Sequence, residues 1–308
     1  VITVQSISKY DKNQPSVITI GTFDGVHVGH KLILERLIND ARINNRVSAV
    51  LTFFPHPRLV LQKDSDLKLL NTIEEKKKIL EDLGIDYLII QPFTKTFSRL
   101  SATAFVRDML VNALHAKKVI IGYDHRFGRN RNANINDLIA FGNALDFEVD
   151  EIPAQEIEAV AVSSTKIRNA LLEGDVTTAN TYLGYPYMLS GEIIRGKGLG
   201  KELGFPTANL FIKETYKLIP KNGVYVVQSS LKDKIVYGMM NIGTNPTVDG
   251  EHQSIEVHFF DLSEDLYHRH IQVNILHWIR EEHKFSTLEE LKAQLKKDKK
   301  TASILIKE

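Results

Sequence analysis

The sequence predicts two domains: an α/β N-terminal domain on a mainly parallel, Rossmann-like sheet, and an all-β C-terminal barrel with a C-terminal helix. Three observations predict this. The chain has 308 residues, more than one small core needs. Its first half alternates apolar β-like runs with helical patterns, as in a parallel sheet covered on both faces. After about Leu183, short strands follow one another between Gly, Pro, Asn and charged turns, as in an antiparallel barrel or sandwich. The change of texture, with turn residues at Gly184–Pro186, sets the expected domains at 1–184 and 185–308.

In the first half the expected strands are Val17–Ile20, Val47–Phe54, Tyr87–Gln91, Lys117–Gly122 and Phe147–Ile152. Helices are expected at Lys31–Asn44, Ile73–Leu83, Ala102–Leu114 and Ile135–Ala144. In the first of these, Leu34, Leu37, Ile38 and Ala41 recur at helical spacing. The second half reads as strands at Met188–Arg195, Thr207–Ile212, Gly223–Ser230, Ile235–Ile242, Ser254–Asp261 and Ile271–Ile279. In the closing segment Ser286 and Glu289 match a capping box, and Leu288, Leu291 and Leu295 share a helix face suited to packing on the barrel.

Composition excludes several functions. Hydrophobic content of 43% and charged content of 25% are those of ordinary globular protein. Net charge is +1, from 39 basic and 38 acidic residues, so no global field draws the chain to nucleic acid or an anionic membrane. The absence of cysteine excludes disulfides, thiolate metal sites and a cysteine nucleophile. No apolar run approaches a membrane span, and the first residues lack a signal-peptide layout, so a cytoplasmic location is expected.

The most informative segment is GTFDGVHVGH, Gly21–His30, between a buried strand and a helix. A glycine-rich turn at a helix N-terminus is an anion site, because free N–H groups and the helix dipole face the ligand. His27 and His30 add imidazoles that can donate to phosphate oxygens and, if protonated, offset their charge. Three further segments belong at the ligand edge of such a sheet: FFPHP (53–57), GYDHRFGRNR (122–131) and SSTKIRNAL (163–171). Ser163, Ser164 and Thr165 supply hydroxyls; Lys166 and Arg168 supply cations.

The second domain opens on RGKGLGKELGFPTANL, 195–210. Gly196, Gly198, Gly200 and Gly204 with Lys197 and Lys201 suit a flexible cationic loop over polyphosphate. Thr207 and Asn209, alternate residues of an expected strand, share a face and can offer two oxygens to Mg²⁺. In SIEVHFFD, Glu256 lies among apolar residues, where a carboxylate can take a proton from an alcohol or serve as an ion-paired barrel residue.

Strand, FDGVHVGH and helix together resemble the HxGH nucleotidyltransferases. FDGVHVGH, TFFPHP, GYDHRFG, SSTKIR, GKELGFPTAN, NGVY, MNIGTNPT and IEVHFFD, in that order, resemble the prokaryotic bifunctional riboflavin kinase/FAD synthetases. The resemblance runs from about Val17 to Asp298. It implies an HxGH-type sheet domain and a riboflavin-kinase-type barrel. It also implies ATP as co-substrate, Mg²⁺ as cofactor, and riboflavin, FMN and FAD as substrates and products. By similarity Glu256 is the base of the kinase, Thr207 and Asn209 hold the metal, and Gly196, Gly198, Lys201, Gly204 and Thr207 bind its nucleotide. Gly21, Phe23, Asp24, Gly25, His27, His30, Ser164, Thr165 and Arg168 bind the nucleotide of the transferase, where His27 and His30 are catalytic. His56, Asp124 and Phe127 are placed at the flavin from position alone. The chain departs from the family in having no Gly at 132–134 and in carrying His268 where the family has glycine.

Two other readings compete: a chain with one active module, a kinase beside a weak transferase, or a non-catalytic flavin-binding regulator. A binder has no use for a metal pair beside a carboxylate, and no aromatic-basic interleaving points to nucleic acid.

Overall fold

The computed structural model describes residues 1–10, 14–62, 65–153, 156, 162–196, 199–232, 234–247 and 250–307. They form two compact units, Val1–Ser164 and Thr165–Glu308.

The first unit holds a six-stranded sheet: β1 (Ile2–Gln5), β2 (Ser16–Ile20), β3 (Val47–Phe54), β4 (Tyr87–Pro92), β5 (Ala116–Gly122) and β6 (Glu148–Ile152). All neighbours are parallel, in the order β1-β4-β3-β2-β5-β6. Helices α1 (Val28–Ile43), α2 (Pro57–Leu61), α3 (Ile73–Asp82) and α5 (Ile135–Leu145) form, and α4 (Ala102–Ala104) runs on into a π-helical stretch, Phe105–Ala113. Every residue of β2 is buried, as a central parallel strand requires. From β2 the chain moves outward through β3 to β4, and from β5 outward to β6. The order reverses between β2 and β5, so the loops after these strands open on the crevice where such sheets bind ligands.

β1 is the strand that sequence reading missed. Its four residues are too few for a legible alternation, and pairing with β4, Ile2 opposite Tyr87 through Gln5 opposite Ile90, makes it a strand.

The second unit begins within α6 (Ser164–Glu173) and continues with α7 (Val176–Leu183). A closed antiparallel barrel follows, of β7 (Tyr187–Ile194), β8 (Ala208–Phe211), β9 (Gly223–Leu231), β10 (Lys234–Thr247), β11 (Gly250–Phe259) and β12 (His270–Glu281). Their order is β10-β11-β8-β7-β12-β9, and α8 (Leu199–Glu202) lies between β7 and β8. Composition changes at 184, where the barrel strands begin, whereas packing divides the chain earlier. The Asn180 side chain of α7 donates to Ile275 O of β12 (2.9 Å) and accepts from Tyr187 N (2.7 Å), which fastens α7 to the barrel.

The last helix, α9 (Leu288–Leu305), starts one residue away from the expected cap. Thr287 accepts from Glu290 N, and Glu290 reaches back to Ser286 N, because Thr287 has the extended backbone a cap needs. Leu291 and Leu295 pack with Leu203, Phe205 and Met239, whereas Leu288, expected on the same face, is 50% exposed. Leu203 and Phe205 belong to the glycine-rich segment, so α9 supports the entry to PTAN as well as the barrel wall.

A buried ion pair holds α9. Arg280 of β12 donates to both Asp298 oxygens (Nε–Oδ1 3.0 Å, Nη2–Oδ2 2.7 Å), and Gln294 adds a third donor at 2.8 Å. Removing one partner strands the other charge away from water. Asp298→Ala is expected to lose about 3 kcal/mol in chemical denaturation of the barrel unit; a loss below about 0.5 kcal/mol would show that the pair behaves like a surface bridge.

At His268 φ is 63°, in the left-handed region that favours glycine. His268 N still bonds Ile193 O (2.9 Å), and its ring meets Glu192 (3.2 Å).

Candidate active sites

In the first unit the HVGH turn closes β2 onto α1. His27 is the N-cap of α1; its Nδ1 accepts from His30 N at 3.3 Å. A nitrogen that accepts carries no proton, so His27 keeps its hydrogen on Nε2. The His27 and His30 rings stack at 3.6 Å and 16°, with Phe23 5.0 Å from His30. A side chain at Gly29 would begin 3.3 Å from the His27 ring, so glycine leaves room for it. Gly25 (φ 89°), Phe23 (φ 43°) and Val26 (φ 38°) turn the backbone tightly enough to present the helix N-terminus.

The imidazoles are neutral. Burial is the main cause for both: it lowers His27 to about 4 against the opposing pull of Asp24. His30 falls well below its usual value, pushed further by His27 and Lys76. His30 Nδ1 is buried and has no hydrogen-bond partner among the described residues. Of the two contributions open to these imidazoles, donation to phosphate oxygens needs no protonation and suits the neutral rings.

Asp24 lies inside the turn. It is 3% exposed, and its Oδ1 accepts from Leu70 N (2.9 Å) and Asn71 N (3.4 Å). Through these bonds Asp24 braces the turn from within. Gly21 packs against the Phe23 ring. Ser164 Oγ donates to Asp24 O (2.8 Å), which ties Ser164 to the turn. Thr165 and Arg168 continue α6 in the second unit, so within the first unit Ser164 alone of the three joins the turn.

Of the expected flavin residues, His56 caps α2 by accepting from Arg58 N (3.2 Å), and Asp124 is exposed after β5. Phe127 is a core residue: it is 7% exposed, with its ring 6.0 Å from Phe105.

In the second unit, Glu256 on β11 stands opposite Asn209 of β8 and opposite Asn241 of β10. Directly opposed residues share a face, so two amides flank one carboxylate. Thr207 precedes β8 rather than lying in it, yet its hydroxyl donates to Glu256 Oε2 at 3.2 Å. Glu256 is partly buried and makes no ion pair among the described residues. A side chain at Gly196 would collide with the Asn209 amide, so Gly196 is what lets that amide sit there. Gly198 and Lys197 lie outside the described residues. Lys201 is exposed on α8, and Gly204, at φ 82°, ends that turn.

Sequence reading missed two residues here. Asn241 sits in MNIGTNPT, and only strand register brings it to Glu256. His258, two residues after Glu256, is 8% exposed and bonds Pro206 O through Nδ1 at 2.9 Å, between the rings of Phe205 (5.2 Å) and Phe260 (5.8 Å). A carbonyl only accepts, so Nδ1–H donates and ties the strand to the residue before Thr207. The alternation Glu256–His258 was the available signal.

Among the described residues no cluster of three or more His, Cys, Asp or Glu could hold a metal. The Thr207 hydroxyl, the Asn209 amide and the Glu256 carboxylate are hard oxygen donors, which fit Mg²⁺ held partly by substrate phosphates. No helix among the described residues is long and apolar enough to cross a membrane.

Comparison with known proteins follows the same division. Residues 9–166 match the FAD synthetase family model and 183–306 the riboflavin kinase model. The chain is 38% identical over 287 residues to the bifunctional riboflavin kinase/FMN adenylyltransferase of Escherichia coli K12, covering 93% of this chain and 91% of the relative. It is 39% identical over 284 residues to that of Listeria monocytogenes, covering 92% and 90%. A crystal structure described as a macrolide-efflux protein from Streptococcus pneumoniae superposes with a TM-score of 0.88 at 31% identity, covering 98% of this chain and 99% of that one. The chain belongs to the family of bifunctional riboflavin kinase/FMN adenylyltransferases.

Proposed function

We propose that each reaction of this bifunctional enzyme is carried by the residues gathered within one unit. The chain phosphorylates riboflavin to FMN with ATP and adenylylates FMN to FAD with a second ATP, releasing pyrophosphate. In the barrel, Glu256 takes the proton of the riboflavin 5′-hydroxyl as that oxygen bonds the γ-phosphorus and ADP leaves. Thr207 and Asn209 would hold Mg²⁺, which neutralises charge on the phosphates when bound. The glycine-rich segment from Gly196 to Gly204 covers the nucleotide. At the HVGH turn the FMN phosphate attacks the α-phosphorus of ATP. His27 and His30 donate hydrogen bonds there alongside the N-terminus of α1, and Ser164 holds the turn through Asp24 O.

The observation that carries this reading is the convergence of Thr207, Asn209 and Asn241 on the single carboxylate of Glu256, a unit apart from the stacked histidines. Purified protein with riboflavin, ATP and Mg²⁺ is expected to show FMN rising first and FAD following. FMN that accumulates without FAD would leave a kinase alone, and flavin bound without ATP consumption would leave a regulator.

A further inference from the structure

The HVGH turn is built to receive a triphosphate, yet its imidazoles are neutral and its carboxylate carries the wrong sign. The cation within it comes from elsewhere in the sequence. Lys76, on α3, is 5% exposed, and its Nζ donates to Thr22 O in the turn at 2.7 Å. Thr52 Oγ1 reaches the same carbonyl at 3.3 Å. A buried ammonium is retained only where its field and its hydrogen bonds are used.

We propose that Lys76 is a positioning residue for FMN adenylylation: its buried ammonium fixes the turn through the Thr22 carbonyl and places a positive charge within it. This rests on the turn being the adenylylation site. The groups facing Lys76 are consistent with it. Asp24, from the turn, favours the charged amine; His30, from α1, is held neutral in part by Lys76; His27 is neutral too. On its own helix, Glu75 is engaged in the capping box with Thr72 N (2.9 Å). A charge fixed here, behind a helix N-terminus, acts on phosphate oxygens without screening by solvent.

Burial lowers Lys76 to about 8, with Asp24 opposing. A lysine is charged below its pKa, so its contribution is present at neutral pH and is lost as pH rises through about 8. The kcat/KM for ATP in FMN adenylylation, which reports free-enzyme groups, is therefore measured from pH 6 to 10 for wild type, Lys76→Arg and Lys76→Met. Riboflavin phosphorylation by the same samples serves as the control for folding and for changes in the substrates.

The expected results are a wild-type alkaline limb near 8, its displacement upward by more than about one unit in Lys76→Arg, and a loss of about 10²-fold at pH 7 in Lys76→Met. A wild-type profile without that limb, a limb unmoved in Lys76→Arg, or a Lys76→Met protein with normal adenylylation each overturns the proposal. If Lys76→Met fails to fold, the first two outcomes still decide. If His30→Ala also adenylylates FMN normally, the turn itself is misassigned; if His30→Ala fails and Lys76→Met does not, only the role of Lys76 falls.

Discussion

His30→Ala is expected to slow FMN adenylylation by about 10²–10³-fold while riboflavin phosphorylation continues at the wild-type rate. His30 is buried against His27 at the start of α1, with Nδ1 unpaired among the described residues, so its loss removes hydrogen-bonding capacity from the nucleotide turn. The effect is confined because the residues proposed for the kinase converge inside the barrel unit. The measurement is FAD formed from supplied FMN and ATP, beside FMN formed from riboflavin by the same preparation. A folded variant that loses both reactions would show that the sites are not separate, and one that keeps both would remove His30 from the chemistry.

Glu256→Ala is expected to do the reverse, lowering riboflavin phosphorylation by about 10²–10⁴-fold and sparing FAD formation from supplied FMN. Glu256→Gln sharpens the test. It keeps an oxygen to accept the Thr207 hydroxyl but cannot take a proton from the substrate alcohol. A Gln variant with wild-type kinase activity would show that Glu256 holds Thr207 in place and is not the base.

Much of the fold was legible because it is encoded locally. β2, β3, β4 and β5 are apolar runs bounded by turn residues, and α1 shows its buried face at Leu34, Leu37 and Ala41. β1 was not legible, since four residues become a strand only through β4. Lys76 was hidden for a related reason. IEEKKKILED reads as a solvated charged face, yet helical period places Glu75, Lys76, Ile79 and Leu80 together against the unit's interior. Leu288 erred in the other direction: it fits the apolar stripe of α9, but the packing surface begins only at Leu291.

The candidate sites divide in the same way. HxGH at a strand-to-helix turn and PTAN ahead of a glutamate on a barrel strand, with the motifs between them, carried the resemblance that implies two reactions. Physical state was not encoded there. The neutrality of His27 and His30, the bracing role of Asp24 and the burial of Lys76 arise when α3 and the segment before it pack under the turn.

The sequence by itself determined the fold class, the family and the order of the two activities, because periodicity and short motifs are properties of neighbouring residues. Tertiary structure alone decided which groups carry charge and which partners they hold. Desolvation and hydrogen bonding at the HVGH turn depend on Leu70, Asn71 and Lys76, and the surroundings of Glu256 depend on the register that brings Asn209 and Asn241 beside it.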